Sequence, residues 1–302
     1  TLWRQFSTSA PLKLANKTSS FATWSEYLYK GLSEGVFEEQ QAYWQRQSSI
    51  AASVVKPTSV ESKPPKYRNI RLQWDERVTE NLVKRSIKAF NMRVDEILLA
   101  GILLAFNRFN GAKQLSLLME SHGRNPFDSD LDLTQTVGWF TAKYPLTIQM
   151  NGDGFEALVV SVKEQMRSVP DIGIGYGMLS QIEPALRSVR DVLDVMFNYL
   201  GQFEQNEDAK SDFSVVDAYQ TANVCSSFVH KQPILLNGLL TNKKLTFEFS
   251  YNTNVLSERL ADELSTHIHS AVEEVIAFCI EQQAPRLTLS DVPLAQLSVQ
   301  EL

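Results

Sequence analysis

Apolar residues recur at helical spacing in five long stretches of the chain, and this periodicity predicts helices. The stretches are "WSEYLYKGLSEGVFEEQQAYWQRQ", "DERVTENLVKRSIKAF", "VDEILLAGILLAFNRF", "FEALVVSVKEQMRSV" and "SERLADELSTHIHSAVEEVIAFCI". Residues suited to cap or begin a helix stand near four of the starts: Ser19 or Ser20, Asp75, Asp95 and Ser257. In the first stretch, Gly31 and Gly35 are the points at which the helix could break.

Shorter apolar runs, some of them alternating with polar residues, predict strands. They are "YRNIRLQW", "QLSLLME", "VGWFTAKYPLTIQM", "LDVMFNYLG", "FSVVDAY", "PILLNGLL" and "KLTFEFSYN". The last run alternates strictly around Leu245, Phe247 and Phe249. Helices that precede strands, and a helix that closes the domain, favour an α/β sandwich whose mixed, mostly antiparallel sheet is flanked by helices.

A stretch rich in Ser, Pro and Lys, "SSIAASVVKPTSVESKPPKY", is expected to be an exposed connector. We therefore divide the chain into three parts. An N-terminal helical segment with this connector covers 1–66, the main α/β domain covers 67–285, and a C-terminal segment covers 286–302.

Composition narrows the class of protein. The chain has 302 residues, 43% apolar and 21% charged, which is typical of a globular protein with a sizeable core. A net charge of −6 argues against a nucleic-acid partner, and no apolar run reaches the ~18 residues of a membrane span. Cys225 and Cys279 are too few for a disulfide framework or a thiolate metal site, so a reducing, cytoplasmic setting is expected.

Two patterns that superficially suggest ligands have ordinary explanations. The glycines of "PDIGIGYGM" lack both the preceding strand of a dinucleotide loop and the Lys-Ser/Thr pair of a phosphate loop. A glycine-rich turn, or a loop that lets a substrate approach the backbone, is expected there. His267 and His269 lie two residues apart on a helix and point in different directions, so no metal site is predicted.

The candidate chemistry is concentrated where an apolar run ends, in "LLMESHGRNP". Glu120, His122 and Arg124 follow one another at every second position, and Gly123 gives the chain room to turn. An acid, an imidazole and a guanidinium at the end of a buried strand are typical of a cavity wall. An ordinary ion-pair loop produces the same pattern.

Two further stretches place polar groups at strand ends. "FNYLGQF" sets Asn198 and Tyr199 between apolar neighbours, where a core aromatic beside an edge amide is the ordinary interpretation. "TVGWFTAKYP", which contains Trp139, is consistent with a plain strand and turn. Each stretch is weak evidence alone, whereas their order along the chain is specific.

In that order, "ESHGRN", "DLTQTVGWFTAKYP", "PDIGIGYG" and "FNYLGQF" resemble the motifs of epimerization domains of nonribosomal peptide synthetases, members of the condensation-domain superfamily. The family patterns are Glu-Gly-His-Gly-Arg-Glu, Arg-Thr-Val-Gly-Trp-Phe-Thr, Pro-x-x-Gly-x-Gly-Tyr-Gly and Phe-Asn-Tyr-Leu-Gly-Gln-Phe. "KTSSFATW" and "VDEILLAGILLAF" are similar to family segments too, and "LTLSDVPLAQLSVQEL" resembles the linker to a following domain. The resemblance spans essentially the whole chain and implies a chloramphenicol-acetyltransferase-like α/β lobe.

The chain departs from the family at several positions. Ser121 replaces a Gly, Asn125 replaces the second Glu of the first motif, and Gln135 replaces the Arg before Thr136. The His-His-x-x-x-Asp-Gly motif of the family is not in this sequence. The resemblance therefore implies that the chain is the second lobe of a two-lobed domain, with that motif in the first lobe upstream. The chain alone is expected to show no turnover.

The resemblance implies L-to-D epimerization of the α-carbon of an aminoacyl or peptidyl thioester tethered to a peptidyl carrier domain. It assigns one acid/base role to Glu120, which the preceding "LSLLM" is expected to desolvate partly, and the other to a His of the missing lobe. Asn198 and Tyr199 are candidates to position or stabilise the enolate. The candidates for substrate binding or loop positioning are His122, Arg124, Trp139, Gly175 and Tyr176.

No intrinsic cofactor is implied, since the carrier domain supplies the 4'-phosphopantetheine arm. The expected partners are that carrier domain, the missing lobe and a downstream synthetase domain. Two alternatives remain open. The chain could form the peptide bond as a condensation domain, or it could be a non-catalytic lobe that docks carrier domains, for which Asn125 and Gln135 leave room.

Overall fold

The computed structural model describes residues 2–55, 66–126, 130–203 and 230–292. Six strands form one mixed sheet in these ranges: β1 Tyr67–Gln73, β2 Gln114–Ser121, β3 Ala142–Gln149, β4 Val195–Phe203, β5 Ile234–Thr241 and β6 Lys244–Asn252. Their order across the sheet is β1-β6-β5-β4-β2-β3. The β2–β4 and β4–β5 pairs are parallel and the other three are antiparallel, which confirms the predicted mixed, mostly antiparallel sheet.

Helices surround this sheet. The α-helices are α1 Leu2–Ser7, α2 Phe21–Ser33, α3 Gln41–Ile50, α4 Glu76–Asn81, α5 Ile87–Ala89, α6 Val94–Asn110, α7 Gly154–Arg167, α8 Ile174–Ile182, α9 Pro184–Ser188 and α10 Glu258–Ile280. A π-helical turn, Leu82–Ser86, joins α4 to α5. Short 3-10 helices cover Glu38–Gln40, Pro170–Gly173, Val189–Asp191 and Leu289–Asp291.

The predicted helix starts are confirmed at three caps. The hydroxyl of Ser20 caps α2, the carboxylate of Asp75 caps α4 and the hydroxyl of Ser257 caps α10, each by accepting a backbone N–H. The expected break after α2 occurs at Gly35, whose φ of 77° suits a residue without a side chain. Gly31 stays inside α2 and is buried there.

Two predicted elements are wrong in part. The strand predicted over 137–150 begins only at Ala142, and Trp139 lies in the exposed loop before it. The turn predicted over 170–178 is the 3-10 helix Pro170–Gly173 followed by α8. Ile174 and Met178 lie one turn apart on one side of the segment, with Leu179 beside them, so the segment has a face to bury and folds as a helix despite its glycines. The strand predicted over 213–219 lies outside the described residues.

A layer formed by α6, α7 and α10 packs against the sheet, while α3 and α8 pack against β3. The N-terminal segment is joined to the main domain by direct contacts, because the backbone N–H of Thr147 donates to Gln47 Oε1 at 2.8 Å. The division of the chain at residues 66 and 285 stays a prediction.

A close contact between two helices lies at Gly101 in α6, which faces Val272 of α10. A Cβ at Gly101 would lie 2.6 Å from Val272 Cγ2 and 2.9 Å from its Cα. Because the obstacle includes backbone, we expect Gly101→Ala to lower the free energy of unfolding by about 1–3 kcal/mol. Urea denaturation measures the loss. Gly177→Ala on α8 is the matched control, since its Cβ meets no atom within 4 Å, and an equal loss in both variants would contradict the packing argument.

A cluster of charged residues holds the C-terminal 3-10 helix against the domain. Lys163 Nζ donates to Asp291 Oδ2 at 2.5 Å, and Arg167 donates to Asp291 Oδ1 at 2.7 Å and to Glu96 Oε1 at 3.0 Å. The side chains of Lys163, Asp291 and Glu96 are buried. These residues, called the C-terminal charge cluster below, join α6, α7 and residues 289–291.

The pKa of Asp291 makes the stability of the C-terminal charge cluster depend on pH. Burial raises that pKa, but hydrogen bonds from Lys163, the Thr288 N–H and Asn91 outweigh burial and hold it well below its usual range. A depressed folded-state pKa stabilises the protein above the ordinary Asp value of about 3.9, and the contribution disappears as the pH falls below it toward the folded-state value.

We therefore expect the stability difference between the wild type and Asp291→Asn to be large near neutral pH and to shrink below about pH 4. Denaturant titrations of both proteins across this pH range measure the difference in the free energy of unfolding. The titration of other acidic groups changes the stability of both proteins equally and cancels in that difference. A difference that grows as the pH falls would contradict the sign of the shift.

Candidate functional site

Glu120 lies near the end of β2, between β3 and β4. The antiparallel register sets it opposite Lys143, and the parallel register that pairs Met119 with Phe197 sets it beside Asn198. Registered residues of neighbouring strands project from the same face of a sheet, so the three side chains form one row. The row continues through Asn237 to the other edge of the sheet. Strand order and register thus assemble the site from three separate stretches of sequence.

Both carboxylate oxygens of Glu120 have donors. Asn198 Nδ2 donates to Oε2 at 2.8 Å, and Lys143 Nζ lies 2.6 Å from Oε1. The Glu120 side chain is 13% exposed, which confirms the expected partial desolvation. Each carboxylate oxygen offers two acceptor positions, so each keeps one position for a further proton donor.

A cavity of about 660 Å³ opens at this end of the sheet. Glu120, Asn198 and Tyr199 line it, as do Arg93, Asp95 and Arg167 at the neighbouring ends of α6 and α7. Burial, and secondarily the charge of Asp95, raise the pKa of Tyr199. Its phenol therefore stays protonated and can donate a hydrogen bond into the cavity, as an enolate-stabilising group would.

The loop after β2 has the geometry that its sequence predicts. Gly123 has a φ of 63°, and a Cβ there would lie 1.7 Å from the carbonyl oxygen of Phe140. The Arg124 N–H donates to His122 Nδ1 at 3.0 Å, and the Arg124 guanidinium donates to the Leu133 carbonyl at 2.6 Å. That guanidinium also lies 3.9 Å from the centre of the Phe140 ring. Both side chains thus fix the loop, and His122 also lines the cavity.

Ser121, one of the departures from the family pattern, contacts a strained part of the cavity wall. Its hydroxyl donates to the Ile172 carbonyl at 2.7 Å. Ile172 lines the cavity with a φ of 49°, an unfavourable conformation for a β-branched residue, and Asp171 before it has a φ of 42°. Gln40 Nε2 donates to Asp171 Oδ2 at 2.6 Å, so both strained residues are held by side chains from elsewhere.

Four predicted site residues are not among those that line this cavity, and one of them, Arg124, fixes the loop after β2 instead. Trp139 is 78% exposed in the loop before β3. Gly175 lies in α8, where a Cβ would meet Gln40 Oε1 at 1.9 Å. Tyr176 is fully buried and donates from its hydroxyl to the Leu186 carbonyl at 2.6 Å. Gly175 and Tyr176 therefore belong to helix packing, because the segment expected to be a loop is helical.

Sequence reasoning missed Lys143, Arg93 and Arg167. In "TAKYP" polar and apolar residues alternate, and Lys143 is a polar position of that alternation. This alternation was the sequence pattern from which its side chain could have been predicted to lie on the polar face of the strand.

In the described ranges there is no cluster of three or more His, Cys, Asp or Glu suited to a metal ion. Burial raises the pKa of Cys279 to about 12, which is unlike a reactive thiol. Over the same part of the chain, the helices are too short or too polar to cross a bilayer.

The fold and the cavity define an α/β domain with a polar site at the ends of its central strands. The chain belongs to the condensation-domain family, whose model, "Condensation domain", matches residues 1–298. The chain is 28% identical to bacitracin synthase 2 of Bacillus licheniformis over 97% of its own length and 11% of that protein. It is 28% identical to tyrocidine synthase 1 of Brevibacillus parabrevis over 96% of its length and 28% of that protein. The chain thus spans a small part of these relatives.

Solved structures show the same fold. The epimerization domain from the third module of tyrocidine synthetase B superposes with a TM-score of 0.84 at 22% identity, over 93% of this chain and 64% of that one. The condensation domain of the monacolin K polyketide synthase MokA superposes with a TM-score of 0.65 at 13% identity, over 93% of this chain and 65% of that one. The predicted family and fold class are therefore confirmed.

Proposed function

We propose that this chain supplies one half of an epimerization site that inverts the α-carbon of a carrier-tethered aminoacyl or peptidyl thioester. The observation that carries the proposal is the Glu120 carboxylate, which two donors hold in place at the cavity while each of its oxygens keeps an acceptor position. The motif order and the likeness to a solved epimerization domain support the same reaction.

In the proposed reaction Glu120 and a His of the upstream lobe act on opposite faces of the α-carbon. The α-carbon–hydrogen bond breaks, the proton passes to one of the two groups, and the electron pair moves to the thioester carbonyl as an enolate. The other group returns a proton to the opposite face, so no proton is gained or lost. Asn198 keeps Glu120 oriented, and the Tyr199 phenol donates toward the enolate oxygen.

The 4'-phosphopantetheine arm of the carrier domain would bring the thioester to the site, and the chain needs no cofactor of its own. The upstream lobe, the carrier domain and a downstream synthetase domain are the proposed partners. The C-terminal segment over 286–302 would be the linker to that downstream domain, in a cytoplasmic, multidomain enzyme.

The test is solvent deuterium incorporation at the α-carbon, in a protein that contains both lobes and a carrier domain. The probes are aminoacyl and dipeptidyl thioesters of each proteinogenic amino acid in turn, and chiral analysis of the released product reports inversion. Deuterium incorporation with inversion is the expected result. Peptide-bond formation without deuterium incorporation would replace the proposal with a condensation function. If neither activity is detected, the proposal is overturned and the chain is interpreted as a lobe that docks carrier domains.

A further inference from the structure

Lys143 contacts Glu120 from beside the cavity. It is not among the described residues that line the cavity, yet its ammonium lies 2.6 Å from Glu120 Oε1. The Lys143 side chain is 39% exposed, three times the exposed fraction of Glu120, so solvent screens part of this ion pair. A lysine so placed can act on a substrate only through the carboxylate that it contacts.

The contact is specified by the fold. Lys143 and Glu120 are opposite residues of an antiparallel pair, and Asn198 is the neighbour of Glu120 on the other side. The two donors therefore approach the carboxylate from opposite sides within one row of side chains. Together they fix the plane of the carboxylate, because rotation about its last bond would break both contacts at once.

The charge of Lys143 also suits proton transfer. In the resting site the ammonium and the carboxylate neutralise each other. When Glu120 takes the α-proton, the carboxylate becomes neutral and an enolate forms beside it. The Lys143 ammonium then offsets part of the negative charge of the enolate through space, although it contacts Glu120 and not the substrate.

We propose that Lys143 is a positioning residue that orients Glu120 and balances its charge during proton transfer, an inference that rests on the function proposed above. Removing the ammonium is expected to slow the transfer and leave substrate binding unchanged, because Lys143 lies outside the cavity lining. Misplacement of a catalytic group by about 1 Å can cost about 10²-fold in rate.

The test compares solvent deuterium incorporation in the wild type and Lys143→Met, with the aminoacyl probe that exchanges fastest in the wild type. We expect kcat to fall about 10- to 100-fold with KM unchanged. Lys88→Met is the matched control, since Lys88 is exposed and lines a different cavity. Thermal unfolding of all variants reports folding.

Two further variants separate positioning from a general structural effect. Lys143→Cys treated with 2-bromoethylamine regains an ammonium at nearly the same length, and we expect it to recover most of the rate. The same variant treated with iodoacetamide regains bulk without charge and should stay slow. Wild type given both reagents controls for modification of other cysteines. Adding Lys143→Met to Glu120→Gln should cause no further loss.

The outcomes distinguish the two proposals. No incorporation by the wild type overturns the proposed function and this inference with it. Incorporation by the wild type that Lys143→Met leaves unchanged overturns the role of Lys143 alone. Equal recovery with the charged and the neutral reagent, or a further loss in the double variant, would also overturn that role, because Lys143 would then act through packing or independently of Glu120.

Discussion

Glu120→Gln is expected to lower the rate of α-carbon deuterium incorporation by about 10²–10⁴-fold, the contribution typical of a positioned general acid/base. The substitution keeps the shape of the side chain and removes its capacity to take a proton. An amide oxygen turned toward Lys143 keeps one contact, and the Asn198 amide can rotate to keep the other. The loss should therefore appear in kcat, with little change in the free energy of unfolding.

Glu248→Gln is the matched control for that experiment. Glu248 lies in the same row of side chains, two strands beyond Asn198, and faces Arg71 across the β1–β6 pair. Its neutralisation should leave incorporation within about threefold of the wild type, as expected for a group that exchanges no proton with the substrate. Incorporation by Glu120→Gln at the wild-type rate would assign the proton transfer to other residues.

Asp291→Asn is expected to lower the free energy of unfolding by about 3–5 kcal/mol near neutral pH, because breaking a buried ion pair leaves a charge without its partner. Lys163 is fully buried and would then face the uncharged amide oxygen of the new side chain in place of a carboxylate, with the Phe90 carbonyl as its other described acceptor. Arg167 would lose one of its two carboxylate partners. Urea denaturation at constant protein concentration measures the loss.

The control for Asp291→Asn is Asp262→Asn, which removes the same charge from an exposed position of α10. Its expected change is within about 0.5 kcal/mol. The double variant Lys163→Met/Asp291→Asn should recover part of the loss, since neither charge then remains buried without the other. A loss under about 1 kcal/mol for Asp291→Asn alone would show that water reaches Lys163 and solvates it.

Much of this architecture was predictable from local patterns. Strict alternation located β6, and the hydroxyl and carboxylate caps located the starts of α2, α4 and α10. The same patterns set Glu120 near the end of its strand, but the strand end predicted at Asn198 and Tyr199 is wrong, because β4 continues past both residues to Phe203. The patterns could not show that β2 and β4 are parallel neighbours, because strand order depends on contacts between residues far apart in sequence.

The missed residues share that cause. A loop separates Lys143 from Glu120 in the sequence, and only the register of β2 with β3 sets the two side chains opposite each other. Arg93 and Arg167 reach the cavity because α6 and α7 happen to begin and end beside it. The segment that holds Gly175 and Tyr176 is a helix and not the predicted turn, because its apolar residues form a helix face that outweighs the turn tendency of its glycines.

The row of Lys143, Glu120 and Asn198 restricts how this site can evolve. Side chains alternate between the two faces of a strand, so a one-residue insertion or deletion within β2 would replace Glu120 in the row with an adjacent residue such as Met119, which now lies in the core. Such a change would bury a carboxylate and expose apolar surface in one step. The site can therefore diversify by substitution along the row. Changes in the length of the strand impair folding, so selection acts against them whatever their effect on activity.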